Sequence, residues 1–79
     1  MSQYFSNQSY RRAAAVTTSD TADNPGMALY VGGAGNVALI TEGGDTVTFT
    51  APPVGSIIPI RFTNVKATGT TATLLVRLW

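Results

Sequence analysis

The sequence predicts a small all-β domain, and three features of its composition and pattern indicate this class. Twelve of the 79 residues are threonine, and branching at Cβ favours extended backbone over helix. Apolar and polar residues alternate with the period of a half-buried strand, most clearly over Thr46-Val47-Thr48-Phe49-Thr50. Clusters of glycine and proline separate such segments at short intervals. We therefore predict a small antiparallel β-sandwich or barrel of about six short strands.

The chain divides into an extended N-terminal arm, residues 1–12, and a β domain, residues 13–79. The arm carries Tyr4, Phe5 and Tyr10 among polar residues and shows neither helical nor strand period. Three aromatic rings in such a segment favour packing against the same subunit, a neighbouring subunit or a docking surface. The β domain is predicted to begin with a short strand within residues 13–18, followed by a loop over residues 19–26 that ends in a proline–glycine turn.

Three glycines, Gly32, Gly33 and Gly35, lie between two β-rich segments at residues 27–31 and 36–41. Glycine adopts positive φ at no steric cost, so we predict a β-hairpin with its tight reversal at these glycines. A phosphate-binding loop would instead need a helix directly after the last glycine. The residues that follow have the period of a strand, so the glycines are predicted to shape a turn and to bind no phosphate.

Three further elements complete the predicted domain. The glycine turn at residues 42–45 leads into the alternating strand at residues 46–50. The next strand, residues 58–62, contains Pro59, which donates no hydrogen bond to a sheet and therefore places this strand at an edge, at its start or at a bulge. The last strand, residues 71–79, carries large apolar groups on both faces, which favours cover on both sides, and a second chain is a natural cover. Its two faces are Leu74, Val76 and Leu78, and Leu75, Arg77 and Trp79.

Composition excludes several classes of function. The chain has no cysteine and no histidine, which removes disulfides, thiolate metal ligands and the commonest general base. Its five scattered basic residues and four acidic residues give a net charge of +1, which is too little for an electrostatic nucleic-acid footprint. No apolar stretch approaches the ~20 residues that span a bilayer, and the N-terminus lacks the apolar region of a signal peptide. We predict no enzyme activity, no cofactor, no metal, no nucleic-acid partner and no membrane partner.

Acidic side chains offer two weak candidate sites. Asp20, Asp23 and Asn24 could supply the hard oxygen ligands that calcium prefers, but Asp and Asn also stabilise turns through their own hydrogen bonds, and we favour that role. Glu42 and Asp45 resemble a paired-carboxylate site. They flank a glycine turn, however, where acidic side chains are usually solvated, so we assign them no catalytic role.

Basic and aromatic side chains offer two others. Arg11-Arg12 could contact a phosphate or an acidic partner, and a solvated arm is the simpler interpretation. Tyr4, Phe5, Tyr30 and Trp79 could stack on a sugar, although packing in a core or an interface is the commoner fate of such rings.

Self-association is the simplest way for this chain to gain stability. A 79-residue chain without disulfides has a modest core. Charged residues make up only 11% of it, which fits either a surface partly covered by partners or one solubilised by threonine and serine. We therefore predict a homo-oligomer. The predicted interface residues are Tyr4, Phe5, Tyr10, Leu75, Arg77 and Trp79.

Three motifs occur in a characteristic order. They are Leu-Tyr-Val-Gly-Gly-Ala-Gly at residues 29–35, Gly-x-Ile-x-Pro-Ile-Arg at residues 55–61 and Ala-Thr-Gly-Thr-Thr-Ala at residues 67–72, with Leu78-Trp79 after them. In this combination the sequence closely resembles the small spike-base proteins of tailed phages and of alphaproteobacterial gene transfer agents. The resemblance covers residues 13–79, and the arm departs from it most.

The resemblance implies a structural virion protein without chemistry of its own. Such proteins sit on the capsid surface as the base of a head spike or fibre, and are made in the host cytoplasm. It implies three partners: other copies of the chain in a ring, for which a pentamer at a capsid vertex is one arrangement, the major capsid protein and a fibre or spike protein. Two alternatives stay open on the sequence, a capsid cement or tail-associated β module and a carbohydrate-binding β module that uses Tyr30 or Trp79.

Overall fold

The computed structural model describes residues 10–79, which form seven short strands in two antiparallel sheets. Sheet A has the strand order β1-β7-β2-β5, and sheet B has the order β4-β3-β6. The strands are β1 (Ala13–Ala15), β2 (Ala28–Val31), β3 (Val37–Thr41), β4 (Thr46–Phe49), β5 (Ile57–Ile58), β6 (Phe62–Val65) and β7 (Leu75–Leu78). The all-β prediction is confirmed, and the two separate sheets make the domain a β-sandwich and not a barrel.

One hydrophobic core lies between the sheets and takes side chains from both. Alternation along each strand supplies it, because successive side chains of a strand point to opposite faces. In β4, Val47 and Phe49 are half-buried while Thr46 and Thr48 are exposed, as the sequence pattern predicts. The buried core residues are Leu29, Val31, Val37, Leu39, Ile58, Phe62, Val65, Ala72 and Leu75.

The predicted glycine hairpin is wrong, because β2 and β3 belong to different sheets. β2 pairs with β7 and β5, whereas β3 pairs with β4 and β6. The glycine segment is an arch that carries the chain from sheet A to sheet B. It is hydrogen-bonded to residues 71–74 instead of closing on itself: Gly32 donates to the Leu74 carbonyl at 3.1 Å, and Asn36 accepts from the amides of Thr71 and Ala72 at 2.9 and 3.0 Å.

Close approach, more than positive φ, explains the three glycines. Among them only Gly35 has a positive φ, of 140°. A Cβ at Gly32 would lie 2.8 Å from Leu74 Cβ, and one at Gly33 would lie 3.0 Å from the Thr73 carbonyl oxygen. The glycines therefore lie in an arch between the sheets and not in the predicted tight reversal, and the segment packed against positions 32 and 33 is what requires glycine there.

Pro59 divides the single strand predicted at residues 58–62. β5 ends at Ile58 and is an edge strand of sheet A, and β6 begins at Phe62 in sheet B. Because Pro59 has no amide proton, the ladder is interrupted there, and residues 59–61 cross between the sheets. This division accounts for seven strands where about six were predicted.

The last strand begins four residues later than predicted. Leu74 has a φ of 54° and is 75% exposed, so it does not continue a strand. β7 therefore starts at Leu75, and the preceding residues form the strap that meets the glycine arch.

The loop over residues 19–26 covers the outer edge of β6. Ser19 donates to the Val65 carbonyl at 2.9 Å, Asn24 donates to the Thr63 carbonyl at 2.8 Å, and Gly26 pairs with Phe62. Edge strands left open are sites of unwanted pairing, so the loop that the sequence predicts also protects one edge of sheet B.

Candidate interaction surfaces

Trp79 lies beside β7, at one end of the sandwich, and two arginines lie over its indole ring. The backbone of Arg12 pairs with that of Trp79 through hydrogen bonds of 2.7 and 2.9 Å, which extends the β1–β7 ladder. The guanidinium carbon of Arg77 is 3.9 Å from the ring centroid, and that of Arg12 is 5.4 Å away. Both distances fall within the range of favourable cation–π contact.

Arg77 is held at the end of the hydrophobic core. In sheet A its register partner is Leu29 on β2, so its side chain leaves the inner face of the sheet. Its Nη1 donates a hydrogen bond to the Pro25 carbonyl oxygen. Its Nε is buried and has no hydrogen-bond partner among residues 10–79. The guanidinium is therefore held by the Trp79 ring and the Pro25 carbonyl, and its Nε–H donor makes no hydrogen bond within residues 10–79.

Two neighbouring depressions share Trp79. The larger has a volume of about 410 Å³ and is lined by Pro25, Gly26, Met27, Glu42, Arg61, Phe62, Arg77 and Trp79. The smaller has a volume of about 360 Å³ and is lined by Arg11, Arg12 and Trp79. We call Arg11, Arg12, Arg61, Arg77 and Trp79 the arginine–tryptophan surface.

The arginine–tryptophan surface gathers charge that the sequence scatters. It holds four of the five basic residues of the chain, and Glu42 is the single carboxylate residue among the described residues that line the two depressions. The sequence placed Arg77 and Trp79 on one face of a strand, which the shared depression supports. Nothing in the sequence indicates that Arg61 lies near Arg77 and Trp79, because Arg61 belongs to the segment that crosses from β5 to β6.

A second surface is the outer face of sheet A, and none of the outward-facing strand residues described there is charged. Leu29, Val31 and Leu75 point into the core, so the residues between them point outward. The strand register aligns Ala15, Val76, Tyr30 and Ile57 in one row across four strands. Tyr30 is 36% exposed and Ile57 is 45% exposed. We call this surface the apolar face, formed by Ala13, Ala15, Tyr30, Ile57, Val76 and Leu78; Ala28 lies in the same rows but is fully buried.

The predicted interface residues fall into three groups. Tyr4 and Phe5 lie outside the described residues. Tyr10, Arg77 and Trp79 are half-buried. Leu75 is 6% exposed and faces the core of its own subunit, which leaves its side chain little surface for a second chain.

Asp20, Asn24 and Asp45 make hydrogen bonds within and between loops. Asp20 accepts hydrogen bonds from the Thr68 hydroxyl at 2.6 Å and the Thr68 amide at 3.0 Å, and these bonds lower the pKa of its carboxyl below the ordinary value of 3.8. Asn24 accepts from the Thr17 amide at 3.2 Å. Asp45 lies in the exposed β3–β4 turn, where its amide donates to the Thr41 hydroxyl at 3.0 Å. Within residues 10–79 no group of three or more acidic side chains is placed to hold a metal ion.

A solved structure described as the capsid of a native GTA (gene transfer agent) particle, computed with C5 symmetry, contains a chain similar to this one. The two are 40% identical, the match covers 90% of this chain and 84% of that chain, and the TM-score is 0.80. This chain belongs to the same family as that capsid component. A scan of known protein-family models and a search of curated proteins gave no match.

The motifs in the sequence resemble those of capsid-related proteins of phages and gene transfer agents, and the family membership agrees with this broad class. The match spans nearly all of the described sandwich, so the capsid component shares the fold and not merely a motif. In the described part of this family member, no helix is long and apolar enough to cross a membrane.

Proposed function

We propose that the chain is a structural virion protein on the capsid surface, the oligomeric base of a head spike or fibre that joins the capsid to a fibre protein. The observation that carries the proposal is the 40% identity, over 90% of the chain, to a component of a gene transfer agent capsid. The three sequence motifs shared with spike-base proteins support the more specific role.

The geometry supports an adaptor because it offers two surfaces of different chemistry. The apolar face suits a second copy of the chain, since burial of apolar side chains is what stabilises permanent association between subunits. The arginine–tryptophan surface lies at one end of the sandwich and suits a polar partner. An adaptor that joins different proteins needs such separate surfaces.

Gene deletion followed by quantitative mass spectrometry of purified particles tests the proposal. We expect particles without this chain to keep their capsid proteins and to lose one further surface protein, the fibre. Restoring the gene should restore both proteins. Loss of this chain alone would indicate a decoration protein, and absence of the chain from parental particles would contradict a virion role altogether.

A further inference from the structure

We propose that the arginine–tryptophan surface binds an acidic segment of the capsid protein, through carboxylate side chains placed next to an apolar side chain. This inference rests on the proposed function and adds the chemistry of the partner to it. Four arguments carry it: charge, geometry, the apolar lining and the place of Glu42.

Charge complementarity is the first argument. Four arginines line two adjoining depressions against one glutamate, in a chain whose net charge is only +1. Arg11, Arg12 and Arg61 are exposed. Like charges gathered at one end of a small domain repel one another, and an anionic partner relieves that repulsion while it gains attraction.

The fixed position of Arg77 is the second argument. Its guanidinium is held 3.9 Å from the Trp79 ring centroid and donates to the Pro25 carbonyl. The N–H donors of this guanidinium that neither face Pro25 nor are buried can hydrogen-bond to a carboxylate. Because Arg77 is already immobilised, binding by this group loses little side-chain entropy.

The apolar lining and Glu42 favour a peptide segment over a free inorganic anion as the ligand. Met27, which is 42% exposed, Pro25 and the Trp79 ring line the larger depression, and Phe62 closes its floor. These groups suit an apolar side chain and contribute nothing to binding a free inorganic anion. Glu42 lines the same depression and disfavours a second carboxylate placed beside it.

Fluorescence titration tests the inference directly, since Trp79 is the single tryptophan of the chain. The probe is the peptide acetyl-Glu-Glu-Phe-Glu-Glu-amide, and its neutral control is acetyl-Gln-Gln-Phe-Gln-Gln-amide. We expect saturable change with the acidic peptide, weakening with added salt, and none with the neutral one. Inorganic phosphate forms a third arm. Saturation by phosphate but not by the acidic peptide would overturn the inference in favour of a phosphate site, and no saturation by any probe would overturn it outright.

Variants that each remove one charge distinguish binding at this surface from a general effect of the net charge of the chain. Arg61→Gln should weaken binding of the acidic peptide about fivefold. Lys66→Gln, which removes the same charge outside both depressions, should change it less than about twofold. Glu42→Gln should strengthen binding, whereas Asp23→Asn, which also removes one negative charge, should leave it nearly unchanged. Equal effects within either pair would contradict a site at this surface.

Co-sedimentation with particles that lack the chain distinguishes this inference from the proposed function. If the parental chain does not bind the particles, the proposed function fails. If it binds and Arg61→Gln binds as well as Lys66→Gln does, the proposed function stands and the arginine–tryptophan surface is not its capsid contact. We expect parental and Lys66→Gln binding to be equal and Arg61→Gln binding to be reduced.

Discussion

At the scale of single residues, a glycine and an aspartate allow segments that are far apart in the chain to contact each other. Gly32 allows the arch to approach the strap before β7, and Asp20 joins the loop over residues 19–26 to the turn at Thr68. Both contacts join segments that lie outside the strands, so a substitution at either one replaces no strand residue.

We expect Gly32→Ala to lower the free energy of unfolding by about 2 kcal/mol. The added Cβ would lie 2.8 Å from Leu74 Cβ and would also meet the Leu74 carbonyl oxygen, so backbone has to move. Urea denaturation measures the change. Gly43→Ala is the matched control, because a Cβ there meets nothing closer than 3.9 Å. Equal loss in both variants would show that close approach is not what selects Gly32.

The Asp20–Thr68 contact predicts a pH-dependent contribution to stability. The Thr68 hydroxyl and amide, with a smaller effect of the Lys66 charge, hold the pKa of the Asp20 carboxyl below 3.8 in the folded chain. A lowered folded pKa contributes stability that is complete above the unfolded value and is lost as the pH falls through the folded value. The gap in Tm between the parent and Asp20→Asn should therefore close on acidification below 3.8. Thr68→Val should show the same closing gap, and a gap that widens in acid would contradict this account.

At the scale of elements, the two sheets treat their outer surfaces differently. The outward residues of β4 in sheet B are threonines, whereas those of β2, β5 and β7 in sheet A are apolar. The loop over residues 19–26 covers the β6 edge. In our proposal, the outer face of sheet A is therefore the one that a second copy of the chain covers.

Ile57→Lys should disrupt self-association without unfolding the subunit. Ile57 is 45% exposed on the apolar face, so a lysine there is tolerated in the monomer and costly when a second copy covers it. We expect the dissociation constant to rise about tenfold or more, measured by light scattering at micromolar concentration. Thr48→Lys, on the exposed face of sheet B, should assemble like the parent. A parent that stays monomeric over this range would contradict the proposed oligomer.

At the scale of the whole molecule, the chain is polarised, with its arginines at one end of the sandwich and an uncharged face on one sheet. Opposite ends or faces of different chemistry suit a component that stands between two other proteins. The arm is the remaining part of this proposal, because its last two residues, Arg11 and Arg12, line the smaller depression.

Removal of residues 1–9 should leave the sandwich stable and weaken its docking to particles. The seven strands described within residues 10–79 pair with one another and share one core, so we expect the Tm to change by less than about 2 °C. Calorimetry measures stability, and co-sedimentation with particles that lack the chain measures docking. Replacement of Tyr4 and Phe5 by serine is the matched test that keeps the length of the arm. If both variants dock like the parent, the predicted role of the arm is wrong.

The sequence by itself determined the class of the fold and its local geometry. The threonine content and the alternation over residues 46–50 predicted strands, and the glycine turn at residues 42–45 was confirmed, because these features depend on neighbours in the chain. The motif pattern indicated a capsid-related protein, in agreement with the family. The shared face of Arg77 and Trp79 also followed from alternation alone.

The tertiary structure decided which strands pair and which residues meet. β2 pairs with β7, with Val31 opposite Leu75, and not with the β3 that follows it, because the arch is bonded to a strap some forty residues further along the chain and that contact leaves no local trace. The positive φ of Leu74, next to the strap that meets the arch, delays the start of β7. Arg61 joins Arg12 and Arg77 only because the chain crosses between sheets beside it, so the charge that appears scattered in sequence becomes one surface in space.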